Sequence, residues 1–286
     1  MPAVVTRVKS PDGGGLLTFV GRCYLGLAFV FLFLPIVTLV VFSFQKNQYA
    51  SIPGQGWSLR WYEKLFADDM LMTALSNSLK VSPLAATIAT VIGFCAAYAI
   101  NRFAFPGRSL LAILIILPIL VPPLILGIGF LGLLSRIHLE GQLYSIVIAH
   151  VALTTPAAMA VIQLRLSQLP ASLEEAAWNL GATEWQALWK VVLPSALAGM
   201  AGGWLLAFTF SFDEFVIAWF VSGFDPTLPV TIYTFLAASA DPSLNAIASI
   251  IFVFSGLLLV GAELLVIPML IRASAPARPR RNRGER

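Results

Sequence analysis

Charged residues are scarce in this sequence. Of its 286 residues, 11% are charged and 58% are hydrophobic, whereas an ordinary soluble domain has about a quarter charged residues. Because so few charges cannot cover a water-facing surface, the composition excludes an ordinary soluble globular protein. It favours a chain whose solvent is a lipid bilayer.

Several chemical motifs are also missing. The two cysteines, Cys23 and Cys95, lie in or beside apolar runs, and nothing in their number or spacing indicates a disulfide framework or a zinc site. There is no G-x-x-x-x-G-K-[ST] phosphate loop, no set of nucleophile and base, and no cluster with metal-ligand spacing. We therefore expect neither an enzyme nor a chain that binds a cofactor. The absence of an internal repeat argues against a secondary transporter built from inverted repeats.

Long apolar runs are what the sequence does have. A spanning helix needs about 20 mostly apolar residues, and six segments satisfy this: 24–44, 81–100, 110–134, 145–164, 195–221 and 246–271. The first segment lacks an A-x-A cleavage site and is interpreted as a retained span, not a signal peptide. The third contains Pro118, Pro122 and Pro123, which indicates either a kink in a packed helix or a functional hinge.

The distribution of lysine and arginine predicts the orientation of the spans. With a cytoplasmic N-terminus, the cytoplasmic side holds 13 of the 18 basic residues: Arg7, Lys9, Arg22, Arg102, Arg108, Arg165, Lys190, Arg272, Arg278, Arg280, Arg281, Arg283 and Arg286. Both termini are therefore predicted to be cytoplasmic. The basic tail is interpreted as a segment that meets anionic lipid, not nucleic acid. Segment 55–69, outside after the first span, mixes aromatic and charged residues as an interfacial or docking helix does.

The stretch SLEEAAWNLGATEWQALWKVVLP, residues 172–194, is a polar interruption in this apolar chain. Ser172 with Glu175 and Thr183 with Gln186 have the spacing of two capping boxes, and Gly181 between them supplies a left-handed helix stop. We therefore predict an elbow of two short amphipathic helices on the cytoplasmic side, followed at Pro194 by the fifth span. Helices this short need a surface against which to bury their apolar faces.

Three kinds of surface could cover the apolar faces of the elbow. A helix-turn-helix that reads DNA is excluded by charge, because residues 184–192 carry one lysine and one glutamate. Physical arguments do not decide between the other two surfaces. One is a soluble partner, and the other is the bilayer or the protein's own bundle.

The same elbow resembles a known signature. Glu175, Ala176, Ala177, then Gly181, then Leu193 and Pro194 match the pattern EAA, three residues, G, nine residues, I-x-L-P, with Val191 in the isoleucine position. This pattern is typical of the membrane subunits of bacterial ABC importers. The resemblance implies an all-α integral membrane protein, a type I importer permease with six spanning helices, whose coupling helix contacts a cytoplasmic ATPase. It assigns that contact to the elbow: Glu174, Glu175, Ala176, Ala177, Gly181, Leu193 and Pro194.

An acidic pair in the fifth span is the second candidate site. Asp213 and Glu214 lie in a strongly apolar run that also contains Phe210 and Trp219, and ionisable residues inside spans are candidates for function. Carboxylates beside aromatic rings suit an organic cation. We expect one of the two to face a substrate path and the other to brace a neighbouring helix. The alternative is an interfacial pair that meets water or an internal lysine.

The runs GWLLAFTFSFDEFVIAWFVSG, TLPVTIYTFL, DPSLNAIASI and GWSLRWYEKLFADD resemble the spermidine/putrescine branch of these permeases, second permease subunit. Members of that branch usually have two aspartates where this chain has Asp213 and Glu214. The likeness extends from about residue 44 to 271. It implies import of a polyamine. The alternatives are import of another small solute by the same machinery, a proton-coupled secondary carrier or, outside transport, a membrane scaffold or signalling protein with a docking elbow.

The resemblance also implies the domains and partners. The chain would comprise a cytoplasmic segment 1–23, a first span with a periplasmic loop 24–74, a permease core 75–271 containing the elbow 172–194, and a cytoplasmic tail 272–286. In the bacterial inner membrane it would pair with a second permease subunit, two ATPase subunits that hold ATP and magnesium, and a periplasmic solute-binding protein.

Overall fold

A computed structural model describes residues 14–47, 56–238 and 243–274. The predicted N-terminal segment up to residue 13, part of the predicted periplasmic loop (48–55) and the basic tail from residue 275 lie outside the described residues. Contacts divide the chain into two compact units, Met1–Leu65 with Asp241–Phe252, and Phe66–Ala240 with Val253–Arg286.

The described residues are almost entirely helical, which confirms the all-α prediction. The helices are α1 (Gly14–Ser43), α2 (Arg60–Phe66), α3 (Asp69–Arg102), α4 (Arg108–Leu120), α5 (Pro123–Arg136), α6 (Leu143–Ser167), α7 (Ser172–Asn179), α8 (Glu184–Ala187), α9 (Leu193–Asp213), α10 (Val216–Val221), α11 (Leu228–Ala238) and α12 (Ser243–Ser274).

Four helical stretches in the described part of the chain have the length and apolar composition of a span: Leu17–Ser43, Asp69–Arg102, Leu143–Ser167 and Glu184–Asp213. The third predicted span is not continuous, because α4 and α5 meet at an angle of 107°. Pro122 and Pro123 lack the N–H groups that a continuous helix requires at this point. By length and composition, the described helices give a fifth span if α4 and α5 are counted as one. The sixth predicted segment is helical, within α12.

The first unit contains α1 and the short segment with α2 that follows it. The large apolar side chains of α1, such as Leu27 and Phe31, are exposed, which suits contact with lipid. Beyond α1, the indole N–H of Trp61 in α2 donates to the carbonyl of Gln45 at 2.7 Å. Arg60 lies over the Trp61 ring. The aromatic segment predicted to be interfacial is therefore folded back beside the end of the first span.

In the second unit, α3, α6 and α9 form the centre of the bundle. Small residues allow their backbones to approach closely, as in other membrane bundles. A Cβ on Gly203 of α9 would lie 2.9 Å from the carbonyl oxygen of Ala158 in α6, and one on Gly93 of α3 would lie 3.0 Å from the nitrogen of Met159. The two contacts are made with adjacent residues of α6, so α3 and α9 pack closely against the same part of that helix.

Candidate functional sites: a helical elbow and an acidic cavity

The first helix of the elbow, α7, begins one residue earlier than predicted. Ala171 is its N-cap residue, and the carbonyl of Ala171 accepts from the N–H groups of Glu174 and Glu175. Ser172 is consequently inside the helix, so the predicted Ser172–Glu175 capping box is wrong. Pro170 starts the turn instead, with its carbonyl accepting from the N–H of Leu173.

The glycine stop is present as predicted. Gly181 has a φ of +86°, in the left-handed region that favours glycine. The N–H of Ala182 donates to the carbonyl of Ala177, and the N–H of Gly181 to that of Trp178. This pair of hydrogen bonds is a Schellman motif, which satisfies carbonyls that the end of a helix leaves free.

The second predicted capping box also forms. The hydroxyl of Thr183 accepts from the N–H of Gln186 at 3.2 Å, and the side-chain oxygen of Gln186 accepts from the N–H of Thr183 at 3.1 Å. The helix that follows is not a separate short helix, however. From α8 it passes through a π-helical turn, Leu188–Val192, directly into α9. The elbow's second arm is therefore a continuous helical extension of the fifth span.

The elbow presents apolar side chains at its surface. Leu180 is 89% exposed and Trp185 is 66% exposed, and the rings of Trp185 and Trp189 pack edge to face, 5.6 Å apart. Glu175, Ala176, Gly181 and Pro194 are also exposed, while Ala177 is half-buried. Leu193 differs from the other predicted contact residues because it packs against the core.

Glu174 does not share the exposure of its neighbours. It is 4% exposed, and its carboxylate forms an ion pair with Arg102 at the end of α3. The hydroxyl of Tyr98 donates to the other carboxylate oxygen. Sequence reasoning placed Glu174 in the partner contact and missed Arg102 and Tyr98, since 72 residues separate Arg102 from Glu174.

The acidic pair lies at a break in the fifth predicted span. Helix α9 ends at Asp213, Glu214 is extended with a ψ of 120°, and α10 begins at Val216. The prediction of one continuous helix over 195–221 is therefore wrong. The carboxylate of Glu214 accepts from the N–H groups of Ile217 at 2.9 Å and Ala218 at 3.2 Å, which satisfies the free donors at the start of α10.

Asp213 and Glu214 line a cavity of about 340 Å³. Its other walls are apolar or weakly polar: Ile119, Val121, Pro123, Leu153, Thr209 and Phe210. Asp213 is exposed, whereas the side chain of Glu214 is only 8% exposed. The break between α4 and α5 supplies Val121 and Pro123, so two interrupted spans meet at this cavity.

The two predicted aromatic residues have different positions. Phe210 lines the cavity with the acidic pair. Trp219 instead packs with Phe215 and Tyr233, with its ring centroid 5.8 and 5.3 Å from theirs. Of the four predicted substrate-path residues, the structure brings Phe210, Asp213 and Glu214 to one cavity and places Trp219 in a neighbouring aromatic cluster.

His150 is a further residue beside Glu214. It is fully buried in α6, where its Nδ1 lies 2.8 Å from the hydroxyl of Ser211, and its Nε2 lies 3.9 Å from a carboxylate oxygen of Glu214. A lone histidine in an apolar run gives no sequence signal for this arrangement, because Ser211 and Glu214 lie more than 60 residues away.

Comparison with known proteins places this architecture in a family. Residues 89–271 match the family described as "Binding-protein-dependent transport system inner membrane component". The spermidine/putrescine transport system permease protein PotC of Haemophilus influenzae is 33% identical, over 86% of this chain and 96% of that protein. The putrescine transport system permease protein PotI of Escherichia coli K12 is 38% identical, over 79% of this chain and 83% of that protein.

A solved structure has the same fold. A chain from a bacterial ABC transporter involved in the import of the acidic polysaccharide alginate is similar with a TM-score of 0.69 and 18% sequence identity, covering 93% of this chain and 99% of that chain. With the fold, the elbow and these relatives in agreement, the chain belongs to the family of binding-protein-dependent transport system inner membrane components and is a permease subunit of an ABC importer.

Proposed function

We propose that this permease subunit carries a polyamine, such as putrescine or spermidine, into the cell. The observation that carries the proposal is the exposed carboxylate of Asp213 in a cavity whose walls are mostly apolar. The two relatives described above, whose names state spermidine/putrescine or putrescine transport, support the same substrate class.

The chemistry of the cavity fits an aliphatic diamine. Its ammonium group would pair with the carboxylate of Asp213, in a charge-assisted hydrogen bond that is stronger in an apolar site than in water. The exposed ring of Phe210 offers a cation–π contact. The apolar walls formed by Ile119, Val121 and Leu153 suit the methylene chain between two amines.

Glu214 has a different function in this proposal. Its carboxylate accepts hydrogen bonds from the backbone of α10, so it would stabilise the break between α9 and α10 beside the cavity. It adds negative charge to the wall, while Asp213 supplies the carboxylate that meets the substrate.

The elbow supplies the proposed contact with a cytoplasmic ATPase. Its exposed leucine and tryptophan side chains form an apolar surface that the ATPase would cover, and Glu175, Ala176, Ala177 and Gly181 would lie in that contact. ATP and magnesium would bind to the ATPase, since this chain has no phosphate loop. A second permease subunit and a periplasmic solute-binding protein would complete the assembly.

The orientation follows from the charge distribution. Both termini would be cytoplasmic in the inner membrane, with Asp213 near the periplasmic end of its span and the elbow on the cytoplasmic side. Closure of the ATPase on ATP would move the elbow. Because the second arm of the elbow is continuous with α9, that movement would be passed along α9 toward the cavity.

The proposal is tested by the ATPase activity of the purified complex in lipid nanodiscs. A solute-binding protein loaded with putrescine is expected to stimulate ATP hydrolysis, and the same protein loaded with no ligand is expected to stimulate less. Equal rates with loaded and empty binding protein would contradict the polyamine assignment. Failure of any ATPase to co-purify with the chain would contradict the assembly.

A further inference from the structure

The elbow helix α7 is attached to α3 by a buried cluster of three side chains. One carboxylate oxygen of Glu174 lies 2.6 Å from Nε of Arg102, and the other accepts from the hydroxyl of Tyr98 at 3.0 Å. Tyr98 and Arg102 are four residues apart on α3, so they project from one face of that helix. Both oxygens of one elbow carboxylate are thus held by one helix.

Burial and additional contacts hold this cluster in place. The side chains of Arg102 and Glu174 are 15% and 6% exposed, so water competes little for their charges. Arg102 also donates from Nη2 to the carbonyl of Leu169 at 3.1 Å, just before the elbow. The Tyr98 ring stacks on Phe94 and meets Phe103 edge to face. The elbow therefore cannot move away from α3 without breaking an ion pair that is shielded from solvent.

A second arginine holds the other end of the elbow. Nε of Arg165, near the end of α6, donates to the carbonyl of Ser195 at 3.1 Å, at the start of α9. A Cβ on Gly199 would lie 2.6 Å from Cβ of Arg165, so α6 and α9 are in close contact here. Arg102 and Arg165 thus attach the start and the end of the elbow to two different spans.

Helix α3 extends from the elbow to the opposite end of the bundle. At its far end, Asn77 donates to the carbonyl of Pro226 at 3.2 Å, and the hydroxyl of Ser78 accepts from the N–H of Leu228 at 2.8 Å. Ser78 and Arg102 are 24 positions apart in α3, which corresponds to about 36 Å of helix at ~1.5 Å per residue. A displacement at Arg102 therefore has a direct path to the segment that begins α11.

We propose that Arg102 and Glu174 are positioning residues that pass the movement of the elbow to α3. This inference rests on the proposed function, in which an ATPase moves the elbow. In this arrangement α9 receives the movement through the continuous helix, and α3 receives it through the Arg102–Glu174 pair. When the pair is broken, the ATPase still contacts the exposed face of α7, but α3 no longer follows.

The test uses the complete importer reconstituted in proteoliposomes, with ATP hydrolysis and putrescine uptake measured on the same sample. The variants are Glu174→Gln, Arg102→Gln and the exchange of the two charges, Arg102→Glu with Glu174→Arg. Arg108→Gln is the matched control, because it removes the positive charge of an exposed arginine that lies six residues after Arg102. Tyr98→Phe removes only one hydroxyl from the cluster, so it reports on the pair even where a charge variant fails to assemble.

The expected result is a rise of about fivefold in ATP hydrolysed per putrescine imported in the two single charge variants. Tyr98→Phe is expected to raise the ratio less, Arg108→Gln not at all, and the charge exchange to recover part of the coupling. Amide hydrogen exchange is expected to increase at residues 172–179 in the same variants.

An unchanged ratio in Glu174→Gln and Arg102→Gln, in complexes that retain the ATPase, would overturn the inference and leave the proposed function intact. For variants that lose the ATPase, an unchanged ratio in Tyr98→Phe overturns it. Absence of ATP-driven putrescine uptake in the unsubstituted complex would instead overturn the proposed function.

Discussion

Asp213 and Glu214 are adjacent in the chain, but their carboxylates have opposite surroundings. Asp213 is exposed at the end of α9 and lines the cavity, whereas Glu214 is buried and accepts two backbone hydrogen bonds from the start of α10. The break between the two helices falls at this pair. One carboxylate is therefore free to meet a solute, and the other stabilises the backbone that forms the cavity wall.

Asp213→Asn is expected to lower putrescine uptake about tenfold, because a hydrogen bond to a charged group contributes ~1.5–3 kcal/mol. Assembly of the complex is expected to be unchanged. Uptake by proteoliposomes and gel filtration measure the two quantities. Asp225→Asn is the matched control, since Asp225 is an exposed carboxylate outside the cavity lining. Normal uptake in Asp213→Asn would remove Asp213 from the substrate path. Combined neutralisation of Asp213 and Glu214 is expected to lower uptake at least as far.

Glu214→Ala is expected to destabilise the protein by about 1 kcal/mol, the usual effect of removing a side chain that caps a helix. Glu214→Gln keeps an acceptor oxygen and is expected to stay closer to the unsubstituted protein. The midpoint of thermal unfolding in detergent separates the two variants. If Gln destabilises as much as Ala, the charge of Glu214 matters more than its hydrogen bonds to α10.

Gly181→Val is expected to uncouple ATP hydrolysis from transport. A Cβ at Gly181 would meet no described atom within 4 Å, so the cost is conformational, about 1–2 kcal/mol for a left-handed backbone. The strain would be relieved by straightening the elbow. Gly181→Asn is the matched control, because asparagine tolerates this conformation better. Full coupling in Gly181→Val would show that the bend is not required.

Gly203→Ala is expected to destabilise the protein by about 1–3 kcal/mol, as other additions to a filled interior do. The new methyl group would lie 2.9 Å from the backbone oxygen of Ala158, which cannot move without shifting α6. Gly132→Ala is the control, since its Cβ would meet no described atom within 4 Å. Equal unfolding temperatures for the two variants would show that α6 and α9 can separate without cost.

Local signals in the sequence predicted a large part of the elbow. Gly181 and the Thr183–Gln186 box act within a few residues of themselves, so the pattern was sufficient to place them. The Ser172–Glu175 box had the same kind of spacing but failed, because Pro170 and Ala171 start the helix earlier. Spacing alone does not show which of several adjacent residues becomes the cap.

Features that depend on distant residues could not be predicted in the same way. The prolines at 122 and 123 indicated a break in the third span, but the angle of 107° depends on how α5 packs against α10. The pairing of Arg102 with Glu174 joins the end of one span to a later loop. Likewise, the burial of Glu214 depends on the break between α9 and α10, which the apolar pattern conceals.

The central claim is tested most directly by uptake of labelled putrescine into vesicles that contain the complete importer, with its ATPase and ATP on the inside. We predict that putrescine accumulates only when ATP and the binding protein are both present. We also predict that excess unlabelled spermidine inhibits this accumulation more strongly than a neutral sugar does. No ATP-dependent accumulation of putrescine, or equal inhibition by spermidine and the sugar, would contradict the assignment of this permease to polyamines.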